Sequence, residues 1–426
     1  MPRVVVVGGG WAGCAAALGA KRAGADVILV ERTDNLLGTG LVGGIMRNNG
    51  RFTAAEEMIA MGGGDLFQLA DQVARHTNVA FPGHEHANLY DVALMEPAVQ
   101  RYLLDEGVDL WMMARARDVE KTGDRLEAIV LDSGERLEAD AFVEATGSAG
   151  PQGNCRKYGN GCAMCILRCP SWGGRVSIAA RAGVEEKMGH RADGSIGAMS
   201  GSCKLHKDSI DPAIAAELDR TGVAVVPIPE ELVHSEKLAT KACQQYALSA
   251  FAENLVLLDT GHVKLMTSFY PLDELRRVPG MENARYEDPY AGGKGNSIRY
   301  LALSPRDDHL KVVGLANLFC AGEKAGLLVG HTEAICTGTL AGQNAVCQAL
   351  DKPLVTIPRS TAVGEAIAFV RERMETEEGM TKKYTFSGSV YFDRMKELGT
   401  YTTDTDVISQ RIQDAGFLDF FAQPVV

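Results

Sequence analysis

Long apolar runs are missing from this 426-residue chain, every aliphatic stretch being broken by glycine or charge within a dozen residues, so no transmembrane helix is expected. A secretory leader is not expected either. Val4–Val7 run straight into a glycine loop with no small-residue cleavage pattern, which makes the cytoplasm the expected compartment. Basic charge is in deficit, with 43 Lys and Arg against 55 Asp and Glu and a net charge of −12. A broadly basic nucleic-acid surface is therefore not the global design, although a local basic groove stays open. No internal repeat and no low-complexity tract interrupts the pattern.

What is present is ordinary globular material, 46% hydrophobic and 23% charged, which excludes collagen-like, disordered and disulfide-scaffold classes. The length calls for one large α/β unit with one or two smaller ones. Ten cysteines in a cytoplasmic chain read as thiols, metal ligands or redox groups rather than as cross-links.

Residues 3–31 run strand, glycine turn, helix, strand: RVVVV, GGGWAG, CAAALGAKRAGA, DVILVE. Gly8, Gly10 and Gly13 form G-x-G-x-x-G in that register. The first glycine permits the turn, the second admits a pyrophosphate and the third lets helix and strand approach. Glu31 ends the second strand, where a carboxylate accepts from a ribose 2′-hydroxyl. Two later strand ends, Ala145-Thr146-Gly147 and Ala321-Gly322-Glu323, stand where flavoprotein Rossmann domains close over FAD. Ala145, Gly147, Gly322 and Glu323 thus join the cofactor-binding candidates. A second G-x-G-x-x-G after a strand is lacking, so NAD(P)H could act only as a transient visitor to the flavin.

Helical spacing covers Arg51 to Arg75 and Tyr90 to Glu106, and short strands with polar turns fill Val108 to Val143. The expected fold is α/β: a discontinuous Rossmann-type FAD-binding domain with an inserted α+β domain and a C-terminal helical tail. Its boundaries are set at 1–148 and 291–350 for the FAD domain, 149–290 for the insert and 351–426 for the tail.

Cys155, Cys162, Cys165 and Cys169 follow spacings of x6, x2 and x3, with Pro170 after the last. The C-x2-C-x3-C-P end matches part of a ferredoxin ligand run, so an iron–sulfur cluster is one reading. Zinc, a redox dithiol at Cys162/Cys165 and inert thiols are the others. Cys203 lies beside Lys204, His206 and Lys207, cations that lower a thiol pKa and suit a nucleophile. His84 and His86 form H-x-H in a polar loop, where capping or substrate contact outweighs metal binding for want of a third ligand. Arg276, Arg277, Lys294 and Arg299 straddle a glycine-rich loop and read as a solvated face or as contacts for a folate tail or RNA phosphate.

The stretch NLFCAGEKAGLLVGHTEAICTGTLAGQNA from Asn317, then IPRSTAVGEAIAFV from Ile357 and GSCKLHKDSI around Cys203, resemble the GidA family of FAD proteins. Within it they are similar to the folate- and FAD-dependent tRNA uracil methyltransferases of TrmFO type. The resemblance implies an FAD-dependent oxidoreductase, methyltransferase-like in its folate-linked one-carbon form. It further implies a thiolate at Cys203 over the flavin and His331 beside the isoalloxazine. The family's other functional cysteine falls on Gly43, so proton abstraction passes to His331 or Glu333. A flavin/iron–sulfur reductase acting on a small molecule without RNA is the alternative. The implied partners are a small-molecule or folate co-substrate; RNA and self-association stay open, and no membrane is implied.

Overall fold

The computed structural model describes residues 1–148, 171–196, 198–199, 203–240, 244–266, 271–287, 298–299 and 302–425. The four clustered cysteines, Cys155, Cys162, Cys165 and Cys169, lie outside the described residues, as does Lys294.

Valines at positions 4 to 7 favour an extended backbone and are buried on both faces, as a central parallel strand requires. This strand, β1 (Arg3–Val7), leads through the glycine turn into α1 (Trp11–Arg22) and β2 (Asp26–Val30). After β3 (Ile45–Met46) come α2 (Gly50–Ala60) and α3 (Asp65–Gln72). The hairpin β4 (Ala74–Phe81) and β5 (His84–Tyr90) precedes α4 (Val92–Asp105), whose first turn is capped by the Asp91 carboxylate. Then follow β6 (Asp109–Trp111), the meander β7 (Ala116–Thr122), β8 (Arg125–Leu131) and β9 (Arg136–Glu138), and β10 (Ala141–Glu144).

Two short pairs, β11 (Lys187–Met188) with β18 (Ala302–Leu303) and β12 (Ala198–Met199) with β17 (Ile298–Arg299), flank a second sheet. That sheet holds β13 (Cys203–Leu205), β14 (Val223–Pro227), β15 (Asn254–Asp259) and β16 (Val263–Leu265), with α5 (Pro212–Thr221) beside it. The chain then returns through β19 (Leu318–Cys320) and α6 (His331–Ala349). It ends in α7 (Ala362–Arg373), α8 (Ser389–Glu397) and α9 (Thr405–Asp414).

The main sheet is parallel with order β19-β10-β1-β2-β6, so the strand that completes it arrives more than 170 residues after its neighbour β10. The fold is a Rossmann-type FAD-binding fold, discontinuous in sequence, with an inserted α+β unit and a helical C-terminal part. Asn317, fully buried, bolts the meander to this sheet by accepting from Leu126 N and donating to the Leu126 and Asp140 carbonyls.

The second sheet, β13-β16-β15-β14, is antiparallel. Strand alternation splits β15 between two cores: Leu255 and Leu257 pack with Cys203, Leu205 and Leu265, while Val256 and Leu258 pack against Val79, Phe81 and Leu89 of the hairpin. The C-terminal part is no loose appendage. Buried Glu57 of α2 accepts from the first amides of α7, Ala362 N and Val363 N, at 2.9 Å, and pairs with Arg411 of α9.

The hairpin corrects one expectation. His84 and His86 lie on β5, not in a polar loop, and Tyr90 closes that strand rather than opening a helix. His84 is buried; its Nε2 donates to the Gln245 carbonyl, and its Nδ1 accepts from Asn48 and Asn49 amides. No group of metal-ligating side chains occurs among the described residues.

Helices α1 and α6 touch through backbone. A β-carbon on Gly338 would stand 2.2 Å from Ala12 O, and one on Gly342 2.1 Å from Ala16 O. Gly338→Ala is therefore expected to prise the helices apart and cost about 1–3 kcal/mol, read by urea unfolding. An unchanged midpoint would show that the helices can separate freely. A second expectation concerns pH. Burial, aided by Arg51, pushes His84 down from 6.5 to about 3. The unfolded chain takes up a proton that the folded one refuses, so this contribution is complete above pH 6.5 and is lost as pH falls towards 3. His84→Gln should flatten the acid limb of the stability profile between those values, measured by denaturant unfolding at fixed pH steps.

Candidate functional site

A cleft of about 1350 Å3, part of it open solvent, runs along the carboxyl ends of the central strands. It is lined by Gly8, Gly10 and Trp11 of the first turn, by Glu31 to Thr33 after β2, and by Ala114 to Ala116 before the meander. Ala145 to Ser148 after β10, Ala321 to Glu323 after β19, Gly330 with His331, and Arg175 also line it. The first turns of α1 and α6, Trp11 and His331, both border it, so two sets of amide donors and two positive dipole ends meet there.

The three glycines of the fingerprint do different work. Gly8 takes φ +104, and a β-carbon on it would lie 2.5 Å from Ala145 O. Gly13 does not line the cleft; its missing side chain lets Gly8 O approach, since a β-carbon there would lie 1.8 Å from that oxygen. Gly10 lines the cleft, and a β-carbon on it would meet nothing within 4 Å. The space over Gly10 is open, as a bound pyrophosphate requires.

Glu31 is 8% exposed and borders the cleft with each oxygen already holding one backbone amide, Oε2 from Gly9 N and Oε1 from Thr33 N, both at 2.8 Å. Each oxygen retains a lone pair for a ribose hydroxyl. Glu323 accepts from Ser148 Oγ at 2.7 Å across the other end. Trp11 Nε1, also in the wall, is buried without a hydrogen-bond partner among the described residues. These features fit a dinucleotide with an anionic centre and a hydroxylated ribose.

The far end is built around His331. Its ring lies 6.1 Å from the Trp11 ring and 6.4 Å from that of Tyr90. A β-carbon on Gly43 would stand 1.9 Å from His331 Cε1 and 2.6 Å from the Tyr90 hydroxyl, so the imidazole fills the space a side chain at position 43 would need. Tyr90 donates to Gly40 O at 3.0 Å, and Lys264 of β16 donates to Val42 O at 2.5 Å. Together they hold the 3-10 turn Gly38–Val42 against the cleft. Burial pushes the Tyr90 phenol above its ordinary pKa, so it stays a neutral donor. Trp11, Tyr90 and Lys264 escaped sequence reading; only the aromatic inside GGGWAG offered a signal.

Cys203 is placed elsewhere. It is 1% exposed in the apolar core of the second sheet and is not part of the cleft wall. Cys203 pairs with Leu265 and Lys204 with Lys264, so the face that carries Lys264 towards Val42 is the one opposite the thiol. Burial raises the thiol pKa of Cys14 and Cys336 far above the ordinary value and that of Cys320 to about 12, and raises Cys347 as well, which disfavours the thiolate at each.

Glu333 also departs from expectation. Fully buried on α6, it faces away from the cleft, bound by Arg51 Nε at 3.2 Å, Thr385 Oγ1 at 2.6 Å and Phe386 N at 2.9 Å. It clamps α2, α6 and the C-terminal segment together. Arg276 donates to Ala284 O and Arg277 lies 3.8 Å from Glu231, so both are held within the insert.

A protein-family profile described as glucose inhibited division protein A matches residues 3–246 and 256–353. Among curated proteins, the chain is similar to the methylenetetrahydrofolate–tRNA-(uracil-5-)-methyltransferase TrmFO of Caldicellulosiruptor bescii. It is 30% identical to it over 112 residues, 26% of this chain and 24% of that protein. To the protein of the same name from Methylobacterium radiotolerans it is 36% identical over 97 residues, 22% of this chain and 19% of that one. The chain thus spans about a quarter or less of the length of these relatives. Among solved structures, Aquifex aeolicus GidA in its form II crystal superposes with a TM-score of 0.66 at 16% identity, covering 99% of this chain and 74% of that one. The form I crystal gives 0.63 at 15%, covering 97% and 78%. At these identities the structural likeness speaks for the fold alone.

Proposed function

The chain belongs to the glucose inhibited division protein A family, and on that premise we propose that it is an FAD-dependent oxidoreductase whose cofactor lies in the cleft of the central sheet. The observation that carries this reading is the open space over Gly10 between two helix N-termini, with the Glu31 carboxylate at one end and the His331 imidazole at the other.

The turn Gly8–Gly10 and the first amides of α1 would hold the pyrophosphate, Glu31 would accept from the adenosine ribose, and Ala114 to Ala116 would flank the adenine end. Gly322, Glu323 and the first turn of α6 would border the isoalloxazine. Bound FAD supplies two-electron redox chemistry. Trp11, Tyr90 and the turn fixed by Lys264 exclude water from that end. His331, in the first turn of α6, borders that end of the cleft, where its imidazole is placed to exchange a proton with substrate.

The substrate we assign is a small molecule reduced or oxidised without a protein-bound adduct. Cys203 faces an apolar core, and Gly43 carries no thiol. Folate-linked one-carbon transfer to tRNA is the second reading, supported by the names of the two curated relatives. Incubating the protein with labelled methylenetetrahydrofolate and unmodified tRNA separates the readings, since label in RNA would displace the first. An iron–sulfur cluster or zinc at Cys155, Cys162, Cys165 and Cys169 belongs to the reductase form of the proposal. Metal analysis after anaerobic purification decides it, and absence of both metals would leave flavin as the sole redox group.

The wild type is expected to purify yellow with FAD. Gly10→Val should lose the flavin and unfold at the midpoint of the flavin-free wild type, because its side chain enters open cleft space. Gly13→Ala should instead lower stability, because its methyl meets Gly8 O. Full FAD occupancy in Gly10→Val would move the cofactor out of this cleft. His331→Ala is expected to keep FAD while turnover falls about 10²–10⁴-fold, the range for removing a general acid or base. Undiminished turnover would leave the imidazole a packing role only.

A further inference from the structure

We propose that Gly173 to Val176 form a strap that closes over the cofactor and governs its release, with Arg175 as a cation set over the pyrophosphate, an inference that rests on the FAD reading above. None of these residues belongs to the glycine fingerprint.

The strap is fastened on both sides of the glycine turn. On one side Arg32, next after Glu31, donates to Gly173 O at 2.6 Å, and Arg115 donates through Nε to Gly174 O at 2.7 Å. Both arginines line the cleft, as does Glu31. On the other side the Glu144 carboxylate, at the end of β10, accepts from Ile178 N and Ala179 N at 2.8 Å, just past the strap. In the main sheet β1 lies between β10 and β2, so the chain from Gly174 to Ile178 crosses above the carboxyl end of β1, where the glycine turn begins. It has little slack. Its four residue steps reach about 14 Å when extended, against about 10 Å for two strand spacings. Arg175 and Val176, in mid-span, line the cleft.

The fastening needs a glycine at 173. That residue takes φ +77, and a β-carbon on it would lie 2.8 Å from Arg115 Nε, so the guanidinium lies against bare backbone. Arg115 is itself gripped by both oxygens of Asp132, at 2.9 and 2.8 Å, which ties the clasp to the meander. Hydrogen bonds from a guanidinium to a carbonyl are strong enough to keep a short segment shut and weak enough to let it open locally. The span also suits what lies beneath it. A pyrophosphate on the glycine turn meets amides from the turn and α1, and the strap brings the Arg175 guanidinium to the same cleft.

The test measures how fast FAD leaves the loaded protein, followed by the fluorescence of released FAD after dilution, with flavin content determined first. R32M and R115M should each release FAD about tenfold faster than wild type, the factor for one charged hydrogen bond lost. R175M should also release it faster, and its difference from wild type should shrink at high salt, which screens the guanidinium. G173A pushes on Arg115, so the double variant G173A/R115M should fall short of the product of the two single effects. Wild-type release rates in R32M and R115M overturn the proposal while leaving the cofactor reading intact. A double variant that reaches the full product overturns it too, since the guanidinium would then act apart from the strap. A wild type that binds no FAD overturns both. Should R115M fail to fold, R32M and G173A decide: release at the wild-type rate in both overturns the strap.

Discussion

The contact between α1 and α6 is the constraint on which the site depends. Both helices carry small residues at the crossing, Gly19, Ala12 and Ala16 on one and Gly338, Thr339 and Gly342 on the other. Backbone can touch backbone only where side chains are absent, and a β-carbon on Gly19 would lie 2.8 Å from Thr339 O. At this separation both first turns border one cleft, although some 320 residues of chain lie between them. Larger side chains would move one positive end away from the other, and the cleft would lose half of its amide donors.

The second sheet does its work through strand alternation. One face of β13 and β16 carries Cys203 and Leu265 into an apolar core, and the opposite face sends Lys264 to the turn that walls the cleft. The insert therefore braces the cofactor site mechanically. Its hairpin contact, where Phe81 and Leu89 meet Val256 and Leu258, fixes that brace to the segment bearing Tyr90.

Buried carboxylates lock the remaining parts together. Glu57 ties α2 to α7 and α9, Glu333 ties α6 to Phe386, and Glu144 accepts from Ile178 N and Ala179 N while Lys324 stands between it and Glu186. Each meets backbone amides, the arrangement that makes a buried charge tolerable.

The sequence by itself determined the features that depend on neighbours along the chain. The glycine turn between β1 and α1, the acid ending β2, the meander and the late return to the main sheet were legible because each rests on local periodicity and on glycines whose conformations are set within a few residues. Face and partner were decided only by the tertiary structure. Cys203 looked activated beside Lys204, His206 and Lys207, yet a strand sends successive side chains to opposite faces, and register alone chose the apolar one. Glu333 stood two residues from His331, yet on a helix that offset turns it away from the cleft and onto Arg51. The meeting of His331 with Gly43 joins residues almost 290 apart. No local pattern encodes that distance; packing of α6 against α1 and bracing of the turn by Lys264 put the imidazole where a side chain at position 43 would have stood.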